Sequence, residues 1–247
     1  MTNKWLKVAL MATAIATGTS INIDAETVLY VPQDDRPVSL QYTVDTAREA
    51  GMTVLTPPQN LISGKTYQGQ ADQIMAWVEQ NAGRADVMVL STDTLIYGGL
   101  VDSRKHNIPL STLESRLKRI EGLKARHKNV RIYGFGTVMR SPRASGGGTE
   151  PAYYAEYGPT IFQIAALQDK LDSGSLTQEE TQKLMSLQAS VPVEYLQDWF
   201  DRRQKNMKIN KELIDETRSG VFDYFALGHD DTSQLSQSAL EGRYLNK

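Results

Sequence analysis

Short apolar runs alternate with amphipathic stretches along most of the chain. Thr27–Val31, Met52–Leu55, Asp86–Leu90, Val130–Phe135 and Val221–Leu227 are each four to seven residues long and rich in β-branched or aromatic side chains. That length and composition predict buried strands. Between them, apolar positions recur at helical spacing: Leu40, Val44 and Ala47, then Ile74, Trp77 and Val78, then Leu110, Leu113, Leu117, Ile120 and Leu123. Gly51 and Gly83 stand where the first two helices should stop. Ser111 with Glu114, and Thr177 with Glu180, have the spacing of helix-starting capping boxes. From Arg143 to Pro151 the rhythm gives way to a glycine-rich loop. A helical insertion over about 152–219 follows, with Ile161, Ile164, Ala165 and Leu171 on one face and a long amphipathic stretch from Val193 to Arg218.

Strand–helix alternation with short connections predicts an α/β fold built on a parallel sheet. Polar and charged residues fall repeatedly just after the strands, as on the C-terminal rim of a (β/α) TIM-like barrel. Five strands cannot close an eight-stranded barrel, so the expectation is a partial barrel with a helical insertion. An open doubly wound sheet is the alternative. No repeat or low-complexity linker divides residues 26–247, which are expected to form one α/β domain.

Residues 1–25 do not follow this pattern. Lys4 and Lys7 precede the apolar run Val8–Thr17, and small residues follow, the layout of a secretory signal peptide. The run is too short to span a bilayer. The expectation is an exported bacterial protein, periplasmic or extracellular, with no membrane association after signal removal. The absence of cysteine removes thiol chemistry and thiolate metal sites. A net charge of −2, with no basic block interleaved with aromatics, argues against a nucleic-acid partner.

Four clusters follow strands: Asp34-Asp35-Arg36, then Asp93 with Tyr97 and Arg104, then Arg140 with Arg143, and His229-Asp230-Asp231. Parallel strands would send all four to one edge. Carboxyls buried near one another have at least one pKa raised, while nearby arginines hold others ionised. That is a route to an acid and a base in one pocket. Adjacent carboxylates on an extended strand point in opposite directions, so Asp230 and Asp231 suit a division of labour, one orienting a substrate group and one transferring a proton. Substrate-assisted glycosidases that use a 2-acetamido group employ neighbouring acids in this way.

The expected function is therefore hydrolysis of a glycosidic bond, in an amino-sugar-containing glycan, with Asp230 and Asp231 as the catalytic pair. Asp34, Asp35, Arg36, Asp93, Tyr97, Arg104 and Arg140 would bind the small-molecule or glycan substrate or tune the acids. Arg203, Asn206 and Asn210 share one face of the long helix and would close one side. Two rivals remain: a non-catalytic exported ligand-binding protein, and a hydrolase holding a divalent metal on the same carboxylates. No cofactor is otherwise indicated. The His-Glu-x-x-His zinc signature and the Gly-x-Ser-x-Gly elbow are both missing. Gly146-Gly147-Gly148 lacks the Gly-Lys-Ser/Thr ending of a phosphate loop and reads as a mobile loop over the pocket.

Five blocks, in order, resemble a known family. They are Leu29–Val38, Asp93–Val101 with Ser103-Arg104, Thr137–Arg140, Arg203–Asn210 and Leu227–Thr232. Together they resemble the bacterial domain-of-unknown-function 4127 family, from Leu29 to about the end of the chain. The resemblance implies a protein of roughly twice this length, and it supports a pocket built from these loops without naming a reaction. His229 stands where the resemblance leads one to expect glutamine.

Overall fold

A computed structural model describes residues 25–144, 147–231 and 233–246. The proposed signal peptide, apart from Ala25, lies outside these residues, as do Gly146 of the glycine run and Thr232. Five strands form one sheet: β1 (Thr27–Val31), β2 (Thr53–Leu55), β3 (Val87–Ser91), β4 (Arg131–Val138) and β5 (Tyr224–His229). Every pairing is parallel, and the order is β2-β1-β3-β4-β5. The sheet is open, with β2 and β5 at its edges, and both an incomplete barrel and a doubly wound sheet are compatible with it. The order reverses at β1, so the loops after β1 and β3 part from neighbouring strands and leave a crevice there.

Side chains alternate across the sheet with the period of two that extended backbone imposes. Leu29, Val31, Met88, Leu90 and Ile132 point to one face. Against them pack α2 (Ala71–Asn81), α5 (Leu110–Arg126) and α8 (Val193–Arg218), through Ile74, Leu117, Ile120, Ile209 and Leu213 among others. The stripe Leu113, Leu117, Ile120 and Leu123 is core, as its spacing predicts. The opposite face carries Val28, Tyr30, Val89 and Tyr133 and meets α1 (Gln41–Glu49), leaving an apolar groove of about 270 Å³.

The insertion has a core of its own. α6 (Tyr154–Asp172), α7 (Gln178–Ser190) and α8 enclose Tyr154, Ile161, Ile164, Leu184 and Trp199, with Met139 joining from the end of β4. Thr177 and Glu180 form the expected capping box. Ser111 does not. Pro109 precedes α5, whose start has no side-chain cap, and Glu114 instead pairs with Lys208 on α8. A proline already held at φ −58° sets the helix start two residues earlier than a Ser111 cap would. β5 also begins later than its apolar run. Asp223 is held by Lys124 (2.8 Å) and the Ile132 amide (2.8 Å), so Val221 and Phe222 pack into the core before the strand starts.

Candidate functional site

The loop after β1 is shaped by its own charges. The Arg36 guanidinium donates to Asp34 through Nε (2.7 Å) and Nη2 (2.6 Å), and the Arg36 amide donates to Asp34 Oδ1 at 3.2 Å. Asp35 turns the other way and accepts from the Tyr67 hydroxyl, while its amide donates to the Ser63 carbonyl (2.9 Å). These bonds draw the segment between β2 and α2 over the end of β1. The segment is also locked against the turn that joins two short helices after β3, α3 (Thr92–Tyr97) and α4 (Leu100–Lys105). Gly98 adopts φ +111°, and a Cβ on Gly99 would lie 1.8 Å from Ser63 Oγ, so only glycine fits there.

β3 runs into α3 with Ser91 as its cap, and Thr94 Oγ1 donates back to the Pro32 carbonyl at 2.7 Å. This stitching places Asp93 beneath the β1 loop. Asp93 is 1% exposed and accepts from Gln33 Nε2 (2.9 Å) and Thr137 Oγ1 (2.8 Å). Burial raises its pKa to about 6, the two side-chain bonds pull the other way, and the charge of Asp230 adds to the rise.

Arg104 on α4 is 4% exposed and ion-paired with Asp230, which follows β5. Its Nη1 lies 3.9 Å from Glu150. Burial lowers the Arg104 pKa, and the nearby Arg140 guanidinium lowers it further while Asp230 opposes both. Arg140, just past β4, donates to Glu150 through Nε (2.8 Å) and to Thr149 Oγ1 (2.7 Å). Between these loops lies a cavity of about 360 Å³, whose wall includes Asp34, Arg36, Arg104, Arg140 and Asp230. Five of the twelve candidate residues therefore share one cavity. Asp93 and Asp35 sit one hydrogen bond behind its wall, through Gln33 and the Ser63–Tyr67 loop.

The other five candidates are placed differently. Asp231 does not line the cavity; its two oxygens accept from the backbone amides of Ser141 (2.5 Å) and Ser233 (3.1 Å). Arg203 is 1% exposed, grips Glu241 with Nε (2.7 Å) and Nη2 (2.8 Å), and donates to the Met139 and Arg140 carbonyls. Asn206 donates to the Ser103 carbonyl (2.8 Å) and meets His106 (2.8 Å), and Asn210 donates to the Thr137 carbonyl (3.3 Å). The polar stripe of α8 thus holds the ends of β4 and α4 and does not face ligand space. Tyr97 stacks on His106 at 4.9 Å beside a separate cavity, and its buried hydroxyl has no hydrogen-bond partner among the described residues.

Polar residues that were not among the candidates also line the wall, Gln33, Lys65 and Thr149, with Glu150 behind Arg140 and with Gly64, Leu100 and Val101 as its uncharged remainder. Gln33 and Thr137 stand inside two of the family-like blocks, but neither carries a charge to mark it. Lys65 and Glu150 lie in loops with no periodicity to mark them. The pocket is consequently mixed in charge, where the acidic doublets alone predict an acidic one. Among the described residues no three His, Asp or Glu side chains converge as a metal-ligand set. Arg36, Tyr67, Arg104 and two backbone amides each occupy one of the loop carboxylates. His229 meets Ser238 Oγ at 3.4 Å in a different cavity.

A family model described as a protein of unknown function (DUF4127) matches residues 28–247. The chain belongs to the DUF4127 family. Apart from Thr27 the match covers all five strands, and it covers every element of the cavity, so the pocket lies within the family's own span. None of the curated proteins matches this DUF4127 chain. One solved structure, the activated Roq1 resistosome directly recognizing the pathogen effector XopQ (TIR domains), is 9% identical, covering 90% of this chain and 98% of that chain. Its TM-score is 0.26, too low for the likeness to bear on fold or function. No helix among the described residues is long and apolar enough to cross a membrane.

Proposed function

We propose that this chain forms the acid–base pocket of an exported hydrolase that cleaves a glycosidic bond, in an amino-sugar-containing glycan. The observation that carries the reading is a pair of carboxyls in contrasting surroundings. Asp93 after β3 is buried, with a pKa near 6, and Asp230 after β5 is ion-paired to Arg104 on the cavity wall. Two carboxyls whose environments differ in this way can serve one as proton donor and the other as base, nucleophile or electrostatic stabiliser. In this assignment Asp93 holds the proton below about pH 6. Asp230 presents the charge that the sugar ring or its 2-acetamido group meets. Asp231, bonded to two backbone amides, is a positioning residue that keeps the β5 loop, and so Asp230, in place. Arg36 and Arg140 orient the substrate.

A second reading is a binding protein for a small polar ligand. The observation favouring it is that Asp93 is only 1% exposed and reaches the cavity through Gln33. Chromogenic glycosides, 2-acetamido sugars included, separate the two when assayed with and without EDTA. Hydrolysis that persists in EDTA and is abolished in both Asp230→Asn and Asp93→Asn supports the hydrolase. A folded protein that binds a glycoside and turns none over supports the binder.

A further inference from the structure

Cationic groups, more than acids, dominate the cavity wall. Arg36, Lys65, Arg104 and Arg140 all line it. They face Asp34 and Asp230, with Glu150 behind Arg140, so the cations outnumber the carboxylates paired with them. The pairing is also incomplete. Lys65 is exposed at the cavity edge and makes no hydrogen bond or ion pair among the described residues. Arg104 is almost wholly buried, yet its Nε–H has no acceptor among the described residues. A buried guanidinium donor left unmatched is costly, and a ligand oxygen is one way of meeting it.

We infer that the cavity contains a subsite for an anionic group, a carboxylate or a phosphate carried on a sugar-sized ligand, bound between Lys65, Arg104 and Arg140. The geometry suits such a group. A guanidinium presents several donors in one plane and matches carboxylate or phosphate oxygens, while the unpaired ammonium supplies a compact charge from the opposite loop. The carboxylates nearby are each already held by an arginine, Asp34 by Arg36, Asp230 by Arg104 and Glu150 by Arg140. An entering anion therefore meets neutralised acids and a surplus of donors. The subsite narrows the substrate class of the hydrolase reading, from any polar glycan to an acidic one, and uses the same cavity. Binding at it does not require turnover.

The test is isothermal titration calorimetry of the purified protein with D-glucuronate, D-glucose 6-phosphate and D-glucose near neutral pH. At least one acidic sugar is expected to bind about tenfold or more tightly than glucose, the gain of a charge-assisted bond to a desolvated arginine. The stronger of the two acidic sugars identifies the anion as carboxylate or phosphate. Arg104→Gln is expected to remove most of that preference. Lys65→Gln, at an exposed residue with no partner to lose, is expected to leave folding intact and to weaken acidic sugars by a few-fold with glucose unchanged. Glucose binding as tightly as both acids, or no binding of any of the three by folded protein, overturns the subsite. Cleavage of neutral 2-acetamido glycosides alongside either result would leave the hydrolase reading standing while the subsite falls. Anion binding without any turnover would do the reverse.

Discussion

Replacing Asp93 with asparagine tests the buried acid directly. The Asp93 carboxyl goes from an ordinary pKa of 3.8 to about 6 on folding. A group raised in this way contributes stability that is fully present below its unfolded pKa and is lost as pH rises through its folded value. The difference between those two values corresponds to about 3 kcal/mol, lost between roughly pH 4 and 6. The substituted asparagine would have no proton to lose, and its carbonyl oxygen could accept from Gln33 and Thr137 as the carboxylate does. The new amide would need an acceptor that Asp93 does not, at a cost of about 1–3 kcal/mol. The variant should therefore be less stable than wild type near pH 4 and as stable or more so near pH 7.

His106 runs in the opposite direction. Burial lowers its pKa from 6.5 to about 4, so its contribution is present above 6.5 and lost as pH falls through 4. In wild type the two effects offset each other across nearly the same window, and Asp93→Asn should expose a stability that rises with pH there. Urea midpoints of both proteins at about pH 4, 5, 6 and 7, converted with their m-values, give the difference at each pH. A difference between variant and wild type that stays constant to within about 1 kcal/mol across that range refutes a strained, titrating Asp93.

Tyr97→Phe removes a buried hydroxyl that has no partner among the described residues, keeps the ring stacked on His106, and should raise the urea midpoint by up to about 1 kcal/mol of stability. Arg203→Ala leaves the buried Glu241 with no cation and only the Gln237 amide, and frees two β4-end carbonyls; a loss of about 3–5 kcal/mol is expected by thermal or urea melting. Gly99→Ala forces a Cβ onto Ser63, so the Gly64–Lys65 wall must shift. Sugar affinity measured by calorimetry should fall even where the variant stays folded, and unchanged affinity would show that this turn does not set the wall.

The strands were legible because each is a short run of β-branched and aromatic residues bounded by polar or proline positions. Their order was not: β1 pairs with both β2 and β3, and nothing local in Thr27–Val31 encodes which strands flank it. The convergence of Asp34, Arg36, Arg104, Arg140 and Asp230 followed from parallel strands ending at one edge. Arg203, Asn206 and Asn210 were legible as one polar stripe with hydrogen bonds to make. The pattern could not say that those bonds go to the carbonyls of Thr137, Met139, Arg140 and Ser103. A buried helix facing strand ends needs donors as much as a ligand site does. Asp230 and Asp231 look equivalent in sequence. They differ because the strand has ended at His229, and the bend at Asp230 leaves that side chain on the cavity while Asp231 accepts from the Ser141 amide.

The assignment of Asp93 as proton donor and Asp230 as its charged counterpart is decided by the pH dependence of kcat/KM on a cleaved chromogenic glycoside, which reports the ionisations of the free enzyme. Activity at mildly acidic pH is expected to fall as pH rises through about 6, the pKa of Asp93, and to be unmeasurable in Asp230→Asn. A profile that stays level to about pH 8, or full activity in Asp230→Asn, would contradict that assignment.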